Sequence, residues 1–427
     1  MSDMIKQLVL DESPLENLDT AEVYVQRSIV HTYEANANAC RTFEKILDGT
    51  AVRAFDAENY DGCMYIFDGD NLPSNWLEKA RVNSIEYSTL PRIAVASDLS
   101  EYNLKMPNLV NADVDIYAVL YAFCKEKGLE LKNAVVQNYV SLFKIANTYG
   151  VRGYGYKTYC EIFFDLAGAA MPGVQSFYKV APCFNINDAM LALNRFEHSN
   201  IRKLESAPRF DRIMLSSNAA FELLFMLQFF LNSNMLKMGA SYFGDKIDML
   251  MGEQIASPLL NITENSPHNL TVGGIVDTEG TLRKPMKIIK NGCLVGILSG
   301  FSADSDISTG SAYRADYSVV PQTMATSVYV DAGQTISADI IKSADCIAVA
   351  ESFQGLMESI DSMTLDFTAI IDMQIYRNGK NLGLHSKKIH TNILKVLNSI
   401  CDISADCEYA GEGTFFLPSI VCDFTKM

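Results

Sequence analysis

Residues Gly273 to Gly300, which read GGIVDTEGTLRKPMKIIKNGCLVGILSG, indicate the fold class of this chain. Short apolar runs in this stretch are separated by Glu279-Gly280 and Asn291-Gly292, dipeptides that are typical of tight turns between antiparallel strands. The same kind of turn residue recurs further along, at Gly310, Gly333 and Asn378-Gly379. We therefore expect a large antiparallel sheet or an open barrel in the last part of the chain.

An apolar helix is expected before this sheet. A short strand after Arg212 leads into an apolar run from Ala219 to Leu236, for which Ser217 or Asn218 can serve as the N-cap. A second helix is expected from Tyr242 to Met251. Residues 208–427 are thus predicted to form a C-terminal domain, mainly antiparallel β with an apolar helix.

The first part of the chain is predicted to be α+β. Runs rich in Val, Tyr, Phe and Thr between Ala21 and Tyr65 favour antiparallel strands, with turns expected at Asp48-Gly49 and Asp61-Gly62. A helix is expected from Pro73 to Ile85, followed by a connector through Pro91 and Pro107. These elements define a predicted N-terminal α+β domain over residues 1–107.

A middle α+β region is predicted over residues 108–207. Apolar residues at helical spacing predict a helix from Asp113 to Lys127, with Gly128 as its stop. Strand-like runs flank a turn at Tyr149-Gly150, and an amphipathic helix is expected from Asp188 to Leu204. The whole chain is therefore predicted to be α+β, with an α/β sandwich-like N-terminal lobe followed by a C-terminal lobe that holds the large sheet and a few helices.

Composition excludes several function classes. The chain has 427 residues and a formal net charge of -16, which disfavours binding to nucleic acid or to an anionic membrane. The longest apolar stretch is too short for a transmembrane helix, and the N-terminus lacks a basic segment followed by an apolar core, so we expect a cytoplasmic protein. The ten cysteines are dispersed and do not form a disulfide pattern.

Several segments, in order along the chain, carry a resemblance to a known family. They are Ala21-Glu22-Val23-Tyr24, the run from Asp48 to Arg53, the run from Ala146 to Gly150, the long stretch from Gly273 to Gly333, and GTFFLPSIVCDFTK at 413–426. The chain resembles the TldD/PmbA family, also called putative modulators of DNA gyrase, and within it the PmbA (TldE) side.

The resemblance implies a zinc site that this chain lacks. In the TldD partner a helix carries His-Glu-x-x-x-His, and the similar helix here reads FELLFMLQFFLNSN. Phe225, Met226 and Phe230 occupy the positions of the two histidines and the glutamate. Phenyl rings and a thioether are very poor zinc ligands and have no proton to exchange. We therefore expect no catalytic residue, metal ligand or cofactor site in this chain.

The function implied by the resemblance is that of a non-catalytic subunit. Such a chain pairs with a TldD-like zinc-bearing subunit in a heterodimeric metalloprotease that cleaves unfolded or leader peptides. A peptide could be held as an added strand. The candidate substrate-binding residues are Thr309, Gly310 and Arg314, of which Arg314 could pair with a C-terminal carboxylate.

Two alternatives remain open. One is a homodimeric peptide-binding or regulatory protein without protease activity. The other is an autonomous hydrolase that uses Cys407 with His385 or His390; the resemblance also implies that a cysteine in the region of Cys407 binds the metal in TldD. The five-residue separation of the two histidines places them about 140° apart on a helix and on opposite faces of a strand, which disfavours a shared metal ion.

Overall fold

The computed structural model describes residues 8–16, 18, 20–36, 39–55, 61–69, 75, 84–86, 115–168, 175–182, 203–301 and 307–427. The predicted connector through Pro91 and Pro107 lies outside these residues, as does almost all of the helices predicted from Pro73 to Ile85 and from Asp188 to Leu204. The end of the first of these helices is instead strand, since Ser84–Glu86 pairs with a neighbouring strand.

The N-terminal lobe contains a long antiparallel sheet. Its strands are β1 (Ala21–Ala35), β2 (Cys40–Phe55), β3 (Asp61–Asp68), β4 (Ser84–Glu86), β5 (Glu130–Asn147), β6 (Arg152–Ala167) and β7 (Gln175–Ala181). Hydrogen bonding gives the order β4-β3-β2-β1-β5-β6-β7. Helix α1 (Asp115–Lys127), close to its predicted bounds, packs Phe123 and Cys124 against this sheet.

Two of the predicted turns in this lobe are wrong. Asp48-Gly49 lies inside β2, where Gly49 pairs with Gln26 of β1, and Asp61-Gly62 begins β3. A Cβ atom on Gly49 would lie 2.2 Å from the ring of Tyr317, so glycine is needed there for a close contact rather than for a turn. The turn at Tyr149-Gly150 is confirmed, because it joins β5 to β6 and Gly150 has a φ of 86°.

The C-terminal lobe is built around a second, branched part of the same sheet. Its strands are β8 (Arg212–Leu215), β9 (Ile262–Glu264), β10 (Val272–Gly274), β11 (Met286–Lys290), β12 (Cys293–Leu294), β15 (Val328–Val330), β16 (Cys346–Gln354), β17 (Asp366–Arg377), β18 (Lys380–Asn392), β19 (Ile400–Ala410) and β20 (Phe415–Asp423); β13 (Ala312–Tyr313) and β14 (Gln322–Thr323) form a separate ribbon.

The strand order in this lobe is β19-β20-β8-β16-β17-β18, with β15-β9-β11-β12 branching from β20. Contact with the N-terminal lobe comes through β10, which pairs with β6, and through Tyr409 of β19, which pairs with Val180 of β7. The β8–β16 and β15–β20 pairs are parallel. The α+β prediction is confirmed, but the sheet is mixed and does not close into a barrel.

The helices of the C-terminal lobe are shorter than predicted. They are α2 (Ser217–Phe230), α3 (Ser233–Lys237), α4 (Ile247–Leu250), α5 (Ser337–Ser343), α6 (Leu356–Ser359) and α7 (Ile393–Asn398). The run predicted as one helix is broken after Phe230, because the Asn232 side chain accepts a hydrogen bond from the Met235 N–H and caps α3. Ser216, one residue earlier than predicted, caps α2. Only four residues of the predicted helix from Tyr242 to Met251 are helical.

The largest hydrophobic core lies between α2 and the C-terminal sheet. Leu223, Leu224 and Leu227 of α2 pack with Phe415 and Leu417 of β20. Burying side chains of this size stabilises the fold by about 1.5–3 kcal/mol each. In the described part of the chain no helix is long and apolar enough to span a membrane. The predicted domain boundaries at residues 107 and 207 stay predictions.

Candidate functional site

The three residues at the positions of the zinc motif, Phe225, Met226 and Phe230, lie on the last turns of α2 and pack against other parts of the chain. Met226 and Phe230 are 8% and 3% exposed and belong to the large core. Phe225 is partly buried, with its ring centroid 5.6 Å from that of Phe221. These side chains offer no nitrogen or carboxylate ligand, so the residues present do not fit a zinc ion.

Cys407 lies on the far side of the sheet from α2. Ala410 and Phe415 point toward α2, as part of the core that includes Leu223. Since side chains alternate along a strand, Cys407 and Tyr409 of β19 point the other way, and the Tyr409 ring stacks on Phe416 at 4.5 Å. Cys407 therefore cannot share a metal ion with the side chains at the motif-like positions.

The thiol of Cys407 is also poorly suited to catalysis. Burial and, to a lesser extent, the Asp406 carboxylate raise the pKa of Cys407 to about 11. At neutral pH the sulfur therefore stays protonated, whereas the thiolate is the form that attacks a carbonyl or binds a metal.

His385 and His390 both lie on β18, on opposite faces. His385 is opposite Met373 of β17, and His390 is opposite Thr368, whose Oγ1 is 3.0 Å from His390 Nδ1. Five residues of extended strand separate the two Cα atoms by about 17 Å. The described residues contain no group of three or more His, Cys, Asp or Glu side chains placed to hold a metal ion.

A pocket with chemically distinctive walls lies where the two lobes meet. It has about 510 Å³ of empty space, which includes solvent at its mouth. Strands β1, β5, β6 and β10, the turn after β10 and the β13 ribbon form its walls. The lining residues are Tyr24, Gln26, Tyr139, Ser141, Phe143, Tyr156, Lys157, Val272, Gly273, Asp277, Thr278, Arg283, Ala312, Tyr313, Arg314, Thr326 and Thr414.

A buried ion-pair cluster lies at the base of this pocket. Glu22 of β1, 1% exposed, accepts hydrogen bonds from Arg53 Nε at 3.0 Å and Arg53 Nη2 at 2.6 Å. Arg314 Nη2 donates to Oε1 of the same carboxylate. Burial alone would raise the pKa of Glu22, but the two guanidinium groups outweigh burial and lower the pKa below its ordinary value.

Arg314 is held with part of its hydrogen-bonding capacity unused. The guanidinium is 4.2 Å from the ring centroid of Tyr24, a cation–π contact that fixes its plane. Its Nε and Nη1 atoms are buried and have no hydrogen-bond partner among the described residues. A buried N–H without an acceptor is costly, so these groups are available to donate to a molecule that enters the pocket.

The turn at Asp277 forms another part of the pocket wall. Asp277 Oδ1 accepts from the N–H groups of Glu279 and Thr281 at 3.0 and 2.9 Å, and Oδ2 accepts from the Ala312 N–H at 2.9 Å. Burial, and to a lesser extent the Glu279 carboxylate, raise the pKa of Asp277 above its ordinary value, although the three N–H donors act to lower it. The side chain thus orders the turn and the start of the β13 ribbon that carries Arg314.

Of the three predicted substrate-binding residues, only Arg314 lines this pocket. Thr309 Oγ1 donates to the Ser299 carbonyl and accepts from the Ser299 N–H, both at 2.9 Å. Gly310 has a φ of 72°, and its carbonyl accepts from Asn265 at 3.1 Å. Thr309 and Gly310 therefore shape the loop, and their predicted contact with substrate stays a prediction.

Sequence patterns assign no role to Tyr24, Lys157 or Arg283. Glu22 and Tyr24 fall within a segment that carried the family resemblance, which was the available signal. Lys157 is held by Glu412 at 3.0 Å and lies 5.1 and 5.6 Å from the ring centroids of Tyr159 and Tyr313. No local sequence pattern reports that these residues meet.

Comparison with known proteins agrees with this architecture. The sequence model of the PmbA/TldA metallopeptidase C-terminal domain matches residues 210–427. TldE from Thermococcus kodakarensis superposes with a TM-score of 0.82 at 17% identity, over 98% of both chains. A proposed DNA gyrase modulator from Thermotoga maritima gives 0.76 at 14% identity over 95% of both chains. A similar one from Bacteroides thetaiotaomicron gives 0.72 at 16% identity, over 99% of this chain and 98% of the other.

No curated protein matches the chain significantly. The fold and the matched C-terminal half define a metallopeptidase-type scaffold. Because the match covers slightly more than half of the residues, the chain belongs to the PmbA/TldD family.

Proposed function

We propose that this chain is the non-catalytic, TldE-like subunit of a heterodimeric zinc metalloprotease that cleaves unfolded or leader peptides. One observation carries the proposal: the motif-like positions on α2 hold Phe225, Met226 and Phe230, and the last two are buried in the core. Hydrolysis of a peptide bond at zinc requires ligands and a proton acceptor. In this proposal a TldD-like subunit supplies them.

The contribution of this chain is to hold the peptide. The pocket between the lobes combines apolar walls with Arg314, whose unpartnered N–H groups can donate to a peptide carboxylate or carbonyl. A peptide added as a strand to a free sheet edge would be bound through backbone groups, whatever its sequence. Such binding suits a subunit that presents varied peptides to a separate catalytic centre.

The proposal is tested with the chain alone and in a mixture. Purified alone, it should contain less than stoichiometric zinc by elemental analysis and show no chelator-sensitive cleavage of an unfolded protein. Mixed with a TldD-like chain that carries His-Glu-x-x-x-His, it should co-elute and raise the rate of cleavage. The matched control is the same mixture with the motif glutamate of the TldD-like chain changed to glutamine, which should be inactive.

Two outcomes count against the proposal. Stoichiometric zinc and chelator-sensitive cleavage by this chain alone would show an autonomous enzyme. A stable self-dimer that neither binds the TldD-like chain nor changes its rate of cleavage would favour the homodimeric, non-proteolytic alternative.

A further inference from the structure

We propose that the pocket between the lobes binds the free carboxylate of a ligand that carries an apolar group next to it, with Arg314 as the principal donor. Such binding would specify how the chain holds a peptide. It rests on the proposed function only in taking the carboxylate to belong to a peptide. The chemistry, an anionic carboxylate beside an apolar side chain, is shared by the C-terminus of a peptide and by a small free acid.

Arg314 is a buried cation with unused hydrogen-bonding capacity. Arg314 is 2% exposed and directs one N–H group of Nη2 to Glu22, while Nε and Nη1 have no acceptor among the described residues. A guanidinium has five N–H donors, and three of them belong to these two nitrogens. An ionised acceptor such as a carboxylate forms short, strong hydrogen bonds with such donors.

The cations at the pocket are offset by carboxylates. Lys157 pairs with Glu412 and Arg314 with Glu22, and Arg283 lies near Glu264 and Asp277. The attraction for an incoming carboxylate therefore comes from the unpartnered N–H groups of Arg314, which act in surroundings of low dielectric constant.

The walls of the pocket are largely apolar. Tyr24 and Phe143 stack with ring centroids 5.3 Å apart, and Tyr156 and Val272 continue this apolar surface. The 510 Å³ of empty space includes open solvent, and only about 40 Å³ of it can hold the centre of a water-sized molecule, so the pocket is too small for several residues of an extended peptide. The pocket thus fits one terminal residue or one small acid.

Binding is measured on the full chain by isothermal titration. The probes are the peptide Gly-Gly-Phe with a free carboxylate, the same peptide as its C-terminal amide, and phenylacetate as a small free acid. We expect the amide to bind at least about tenfold more weakly than the acid. Binding of the peptide but not of phenylacetate identifies a peptide terminus as the source, and binding of phenylacetate with equal or higher affinity identifies a free acid.

Two variants link binding to this pocket. Arg314→Gln removes the guanidinium while Glu22 stays paired with Arg53, and should lose acid binding. Val272→Phe fills the pocket without touching the ion pair, and should also lose it. The matched control, Arg209→Gln, removes an arginine that is 88% exposed and should bind like the wild type.

Equal binding of the acid and the amide would overturn the proposal. So would the failure of both acid probes to bind the folded wild-type chain at millimolar concentration, because water alone would then satisfy Arg314. Binding that survives both pocket variants would also overturn it. These measurements need no second subunit. A chain that binds the acid but fails to stimulate a TldD-like chain would leave this inference standing and contradict only the proposed function.

Discussion

Glu22, on the first strand, and Arg314, 292 residues later, form a buried ion pair that joins the two lobes. Arg53 binds the same carboxylate through two of its nitrogens. The two guanidinium groups therefore share the single negative charge of Glu22, which also holds Arg314 against Tyr24 at the base of the pocket. Glu22 thus contributes both to the pocket and to the contact between the lobes.

Glu22→Gln should destabilise the chain strongly. Removing the carboxylate leaves two buried guanidinium groups without their counter-charge, and breaking a buried pair in this way costs about 3–5 kcal/mol. The free energy of unfolding from urea denaturation measures the loss. The control is Glu34→Gln, because Glu34 pairs with the largely exposed Arg41 and should cost at most about 1 kcal/mol. Equal losses for both variants would contradict a special role for Glu22.

The same variant has a defined pH signature. The pKa of Glu22 is lowered from its ordinary value of 4.5 by the two guanidinium groups, so its contribution to stability is present above about pH 4.5 and is lost as the pH falls through the lowered pKa. The difference in unfolding free energy between wild type and Glu22→Gln should therefore be largest near neutral pH and shrink in acid. A difference that stays constant from pH 7 to pH 3 would contradict this assignment.

Glu222 of α2 should give the opposite pH dependence. Burial raises the pKa of Glu222 to about 7, the hydrogen bond from the Phe353 N–H lowers it in part, and Glu358 raises it further. A carboxyl with a raised folded-state pKa contributes stability below the unfolded value of 4.5 and loses it as the pH rises through 7.

Because of Glu222, the free energy of unfolding of the wild type should fall by up to about 3 kcal/mol between pH 5 and pH 8. Glu222→Gln, whose side chain can still accept a hydrogen bond from the Phe353 N–H, should not show this fall. Urea denaturation at the two pH values measures this. Glu358→Gln, which removes only the weaker neighbouring charge, serves as the control and should have a smaller effect. Identical pH profiles for wild type and Glu222→Gln would refute the raised pKa.

Local sequence patterns predicted the helices and strands better than they predicted why a particular residue occurs at a given position. Gly333 was interpreted as a turn signal, but a Cβ atom there would lie 1.8 Å from the Ile403 carbonyl oxygen, and its N–H donates to the Ser404 carbonyl at 2.8 Å. Glycine is needed because this loop runs directly against β19. A contact between chain segments 70 residues apart leaves no local pattern, so turn chemistry was the only interpretation that the sequence offered.

Gly333→Ala should destabilise the chain for that reason. The methyl group overlaps backbone atoms, which cannot rotate away as a side chain can, and overpacking of this kind typically costs about 1–3 kcal/mol or more. Thermal unfolding followed by circular dichroism measures the effect. Ala332→Ser, at the exposed neighbouring position, should leave the midpoint of unfolding nearly unchanged. Tolerance of Gly333→Ala would show that the loop can shift away from β19.

The pocket could be predicted only in part, for the same physical reason. Arg314 was a candidate substrate-binding residue because it lies in a segment that resembles the family. It lines the pocket, and its contact with substrate stays a prediction. Tyr24, Phe143 and Asp277 come from three distant segments and meet only because β1, β5 and the turn after β10 meet at the lobe junction. Sequence spacing carries no information on such a meeting, whereas the apolar character of α2 can be read directly from its residues.

Met226→Glu tests whether α2 retains room for a catalytic carboxylate. Met226 is 8% exposed in the main core, so a glutamate there must either be buried as an unpaired charge or take up a proton. We expect a loss of about 2–5 kcal/mol in unfolding free energy, the range for disruption of a core position. Phe229→Glu is the matched control, since Phe229 lies three residues further along the same helix and is 40% exposed.

The control should cost far less, because its carboxylate can reach solvent, and neither variant should gain zinc or peptidase activity. Urea denaturation gives the two losses and elemental analysis gives the zinc content. A Met226→Glu chain as stable as Phe229→Glu would mean that position 226 opens to water. The loss of the motif would then be a difference in side chains alone, and an active site could be rebuilt on this helix.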